Sequence, residues 1–138
     1  MISKYFRNKI NSKAFGNVNY DIPNFYIALS KTKPNADGSN ITEPTGGGYA
    51  RVLVANNEIN WSLPDVNDIV KNLKTVAFAP ATGKQSTEAE PIRYYVFLDS
   101  SSGGNYLASG MLANPRAIDI GMRMIFNVGT LQIKLNGE

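Results

Sequence analysis

The spacing of hydrophobic residues changes character near residue 24. Before it, Ile2, Tyr5, Phe6 and Ile10 recur at three- and four-residue intervals, which predicts one short helix over residues 1–15 with those four side chains on a common face. Gly16 is placed to stop it. Asp21-Ile22-Pro23 then forces an extended entry, because the residue before a proline avoids helical backbone. From Asn24 onward, short apolar and β-branched runs alternate with Gly, Pro, Asn, Asp and Ser. That rhythm predicts an all-β fold over residues 24–138, an antiparallel β-sandwich of about seven or eight short strands. With the helix added, residues 1–138 read as a single domain.

Strands are expected near Phe25–Ser30, Tyr49–Asn56, Leu73–Phe78, Ile92–Asp99, Asn105–Met111, Ala117–Ile120, Arg123–Phe126 and Leu131–Leu135. The last alternates cleanly, with Leu131, Ile133 and Leu135 on one face and Gln132 and Lys134 on the other. The run from Ile92 to Leu98 is apolar almost throughout, as in a central strand covered on both faces. Two intervals, Lys31 to Gly48 and Asn57 to Lys71, are too long and polar for hairpins. The first either crosses between sheets or forms an exposed loop. The second carries the only tryptophan, Trp61, read either as a plug closing the end of the sandwich or as an exposed aromatic platform. Glycine pairs and triplets beside apolar residues, Gly46-Gly47-Gly48 and Gly103-Gly104, mark tight strand connections.

Composition narrows the chemistry. The chain has 138 residues, no cysteine and no histidine, which removes disulfides, thiolate sites, the commonest general base and the commonest zinc ligand together. Phosphate cradling requires Gly-x-x-x-x-Gly-Lys-Ser/Thr, and no Lys-Ser/Thr follows Gly48; at Gly83-Lys84-Gln85 both the hydroxyl and the first glycine are missing. Asn35-Ala36-Asp37-Gly38-Ser39-Asn40 resembles a fragment of a calcium loop without its downstream bidentate glutamate, and reads as an Asp-Gly turn. Glu88 and Glu90 lie in a loop-like run and read as solvated surface. No catalytic, cofactor-binding or metal-binding residues are therefore expected.

The net charge of +3 matters only because of where the charge sits. Lys4, Arg7, Lys9 and Lys13 all precede the first acidic residue, Asp21, so the N-terminal end is a basic block. Tyr5, Phe6, Phe15 and Tyr20 make it aromatic as well, the composition of an interface anchor. Charge interrupts the segment after Met1 every few residues, which predicts no signal peptide, and no stretch approaches the length of an apolar membrane span.

Several blocks in order carry a resemblance. The helix is followed by Phe25-Tyr26-Ile27-Ala28-Leu29-Ser30 and a Lys33-Pro34 turn, then by Glu43-Pro44-Thr45-Gly46-Gly47-Gly48-Tyr49-Ala50-Arg51 and Pro80-Ala81-Thr82-Gly83. Val96-Phe97-Leu98-Asp99 leads into Gly103-Gly104-Asn105-Tyr106-Leu107-Ala108-Ser109-Gly110, and Leu131 to Leu135 closes the chain. Nearly the whole chain thus resembles a group of small tailed-bacteriophage structural proteins, variously described as tail-fibre, minor tail, head-fibre or capsid-decoration proteins. It departs from them at Tyr95-Val96, where a glycine is usual, and at Ala89-Glu90-Pro91, near the usual place of a Trp-Gly pair.

The resemblance implies a non-enzymatic virion component, without cofactors, docking as repeated copies on a capsid, collar or tail protein. The candidate docking surface is Ile2, Tyr5, Phe6, Arg7, Lys9, Ile10 and Lys13. Nucleic acid is an unlikely partner at this charge, and no membrane is expected. The alternative from another class is a host-glycan-binding module, with Trp61 and Tyr49 stacking on sugar rings.

Overall fold

The computed structural model describes residues 1–136. One helix, α1 (Lys4–Ala14), precedes eight strands: β1 (Asn24–Ser30), β2 (Val52–Ala55), β3 (Ile69–Lys71), β4 (Val76–Ala77), β5 (Ile92–Leu98), β6 (Tyr106–Arg116), β7 (Ile125–Phe126) and β8 (Gln132–Lys134). All strand pairs are antiparallel. The main sheet has the order β2-β1-β5-β6, and two ribbons, β3-β8 and β4-β7, lie apart from it. The fold is all-β and sandwich-like, with a short N-terminal helix.

The ribbons cover one face of the main sheet. Phe25, Ile27 and Leu29 of β1, Tyr95 and Phe97 of β5 and Leu107 of β6 meet Val76, Phe126, Leu131 and Ile133 in one buried cluster. Aromatic rings fill its centre edge to face: Tyr95 meets Phe126 at 5.7 Å and Phe25 meets Phe97 at 5.7 Å between centroids. The opposite face buries Ala28, Val96, Leu98 and Tyr106. Here the segment 31–42 folds back over the sheet instead of crossing to another one. Ser30 Oγ donates to the carbonyl of Thr32 and accepts from the amide of Thr42, Lys31 N donates to Thr42 O, and Pro34 and Ile41 lie inward. β5 is thus the covered central strand its continuous apolarity predicts.

Four expectations need correction. Ile2 is not a helix residue: Met1 to Ser3 run as a short extended segment along the outer edge of β6, with an Ile2–Ala108 bridge and the bonds Ser3 N to Leu107 O (2.8 Å) and Ser109 N to Met1 O (2.9 Å). Ser3 then caps α1, its Oγ accepting from Phe6 N at 3.0 Å. Second, Ala117–Ile120 is no strand. Its polar backbone is satisfied by the distant 85–86 segment instead of a neighbouring strand: Ser86 Oγ accepts from Ile118 N, and Ile118 O accepts from the amides of Gln85 and Ser86. Third, Leu73–Phe78 contracts to Val76–Ala77, because Asn72, 1% exposed, bends the chain ahead of it by bonding Lys74 O, Asn127 O and Leu131 N. Fourth, β3 lies at the end of the 57–71 interval that reads as loop.

Candidate docking surface

The N-terminal end is built by α1 and the segment that leaves it. The helix closes on the Phe15 N to Asn11 O bond, with Lys13 in its last turn, where a cation complements the carbonyl end of the helix dipole. The chain reverses one residue after Gly16, at Asn17, which takes the left-handed conformation at φ 52°. This reversal lays Tyr20 against Tyr5, with ring centroids 6.3 Å apart and nearly perpendicular. The Lys9 ammonium sits 5.5 Å from the Tyr5 centroid and 5.9 Å from that of Tyr20. The Tyr20 hydroxyl is buried without a hydrogen-bond partner among the described residues, and burial first, then neighbouring Tyr5, pushes its pKa far above the ordinary phenol value. A shallow groove of about 670 Å³ opens between Phe6, Ile10 and Lys13 of α1 and Tyr20, Ile22 and Pro23.

The residues expected at this surface divide in two. Ile2 and Phe6 are buried in the molecule's own core, whereas Arg7, Ile10 and Lys13 are exposed and Tyr5 and Lys9 half-exposed. Phe15 joins them at 88% exposed, with Val18, which sequence reasoning overlooks, at 50%. The helix carries four of the fourteen basic residues and none of the eleven acidic ones, so the remainder of a chain of net charge +3 is net −1. The positive character of the molecule therefore belongs to this end.

The glycines occupy two unlike turns. Gly103 and Gly104, at φ 58° and 79°, make the β5–β6 connection, where both Asp99 carboxylate oxygens accept from Asn105. Gly46, Gly47 and Gly48 do not join two strands directly, contrary to expectation; they form a turn that docks on residues 81–85. Gly47 O accepts from Thr82 N and from Gln85 Nε2, each at 2.9 Å, and a Cβ on Gly48 would lie 2.7 Å from Thr82 Oγ1. Just beyond, Arg51 grips Glu43 through Nε (3.0 Å) and Nη2 (2.8 Å) and donates from Nη1 to the carbonyls of Ser100 and Gly103. Tyr49 OH donates to Glu43 Oε1 at 2.6 Å and accepts from Leu29 N. Burial opposes ionisation of Glu43, but the bonds from Arg51 and Tyr49 prevail and its pKa is lowered; burial and Glu43 push the Tyr49 phenol far up. The cluster clamps the 43–51 loop to the β5–β6 turn.

Trp61 is no exposed platform. It is 3% exposed, packed on Phe25 and Phe97, with Nε1 donating to Ala55 O. Tyr49, held in the clamp, is also unsuited to stack on a sugar. In the 35–40 turn, Asp37 Oδ1 accepts from the amide and hydroxyl of Ser39, and among the described residues no group of three or more acidic, His or Cys side chains is placed to hold a metal. No helix among them is long and apolar enough to cross a membrane.

The family model for podophage GP4 fiber I protein gp80 matches residues 1–134, which includes α1, every strand and both glycine turns. The chain belongs to this family. No curated protein matches it. As a member of a podophage fibre family it is a phage structural protein, a class that works in association with other virion components.

Proposed function

We propose that this fibre-family protein docks in multiple copies on another virion protein, on the capsid, collar or tail, through the end of the molecule that carries α1. The supporting observation is the charge asymmetry: the exposed Arg7 and Lys13 share that end with half-exposed Lys9 and Tyr5 and with the outward ring of Phe15, and no carboxylate precedes Asp21. A basic and aromatic patch on a β body suits an acidic, partly apolar seat. Many copies of one modest contact then give firm attachment by avidity.

The test is incorporation into particles. Arg7→Glu with Lys13→Glu touches no buried group, so the purified variant stays folded, its melting temperature lowered only by the lost interaction of Lys13 with the helix end, while its copy number in purified phage falls at least tenfold. Unchanged incorporation would sink this choice of surface. Immunogold labelling of intact particles assigns the position: regular label over the head means decoration or head fibre, and label at one vertex means collar or tail. Lack of the polypeptide from purified particles would defeat the structural reading itself.

A further inference from the structure

The outer edge of β6 is only half covered. Leu107 and Ser109 turn their backbone groups outward to the Met1–Ser3 segment. Pairing with β5 stays in register through Gly110↔Tyr95 to Met111↔Tyr94, so strand alternation aims the amide and carbonyl of Met111 at the same edge, where no described segment pairs with them. Met111 is 71% exposed. Across a cavity of about 630 Å³ stands β8. Its Leu131 and Leu135 bond toward β3, through Asn72 N to Leu131 O and Leu135 N to Asp68 O, so Lys134 turns its backbone groups the other way, into the cavity. Gln132, on that same edge, is already satisfied: Tyr95 OH reaches over Gly110, accepts from its amide and donates to its carbonyl. Lys33 and Lys134 line the cavity together with Tyr94, Thr130 and Leu112, and among the described residues no Asp or Glu does.

Two strand edges that face one another across an open space, with two lysines around it and no carboxylate among the described residues, form a slot for an added strand. We propose that the slot between β6 and β8 receives an extended, carboxylate-bearing segment of a neighbouring virion protein, which continues the line of Met1–Ser3 along β6 and bonds Met111. The charge of the lining selects an acidic segment over a neutral one. Pro115, which has no amide hydrogen to offer, limits the pairing to the first residues of the β6 extension. This slot is distinct from the α1 surface and rests on the proposal only in requiring that the protein be assembled in the particle.

Amide hydrogen exchange of the unaltered protein, free and in purified particles, tests it. The Met111 and Lys134 amides are expected to slow at least tenfold on assembly. Unchanged exchange at Met111 in particles that contain the protein would overturn the slot and leave the docking proposal standing; particles without the protein would sink both. A photocrosslinker in place of exposed Ala113 identifies the occupant. A crosslink to an Asp- or Glu-containing segment of another virion protein, weakened by Lys33→Glu with Lys134→Glu, supports the inference. A crosslink to a second copy of this chain, or one indifferent to those reversals, overturns it.

Discussion

At the scale of single residues, Arg51 and Glu43 do the most to hold irregular chain in place. The arginine side chain is 9% exposed and the glutamate 23%, and the fork also satisfies two carbonyls of the β5–β6 turn. Glu43→Gln leaves a mostly buried guanidinium without its counter-charge, and a loss of about 2–3 kcal/mol is expected in urea unfolding. The pH dependence follows from the sign of the shift. The folded pKa of Glu43 lies below its ordinary 4.5, so the pair's contribution is complete above that pH and is lost as pH falls through the lowered value. Melting curves of the parent should therefore drop in acid more steeply than those of Glu43→Gln. The glycine triplet offers a sharper contrast. A Cβ on Gly47 would overlap the carbonyl of Gly83, at a φ of 65°, so Gly47→Ala should cost about 2–4 kcal/mol. Gly46 has nothing within 4 Å of an added Cβ, and Gly46→Ala should stay within about 0.5 kcal/mol in the same assay.

Among the elements, Tyr95 couples the β3-β8 ribbon to the main sheet through one hydroxyl, at 3.1 Å from Gln132 N and 3.3 Å from Gln132 O. Tyr95→Phe keeps the ring packing and removes both bonds, for an expected loss of about 1–2 kcal/mol. Faster amide exchange should appear first in β8 and only later in β5; uniform acceleration would contradict a local latch. β1 and β5 are legible in the sequence because a run of five apolar residues in each, Phe25–Leu29 and Tyr94–Leu98, leaves few alternatives, and both emerge within a residue of their expected bounds. The three residues of β3 are too short to show a period, and its location follows instead from the turn at Asp65, whose Oδ1 accepts from Asn67 and Ile69. Asn72 and Ser86 escape notice for a different reason. A buried amide or hydroxyl serving distant carbonyls leaves no local pattern, and these two decide where β4 starts and why 117–120 is not a strand. The N-terminal surface is legible as charge, while the burial of Ile2 depends on the edge of β6, more than a hundred residues away.

For the molecule as a whole, Trp61 supplies an intrinsic reporter. It is the single tryptophan, buried on Phe25 and Phe97 where the 57–71 loop meets the main sheet. Its emission should be blue-shifted in the native protein and move to the red in one step with loss of the β-sheet circular dichroism signal; a red-shifted native spectrum would contradict this packing. The fit of Gly47 against Gly83 also bears on how such a chain can change over generations. Two turns separated by the whole of β2, β3 and β4 share one backbone contact, so Gly47 cannot gain a side chain while the turn at Gly83 stays as it is. Ile59, Leu63 and Val66, exposed at 65%, 72% and 98%, carry no such tie, and among relatives infecting different hosts that stretch is where drift has room to run.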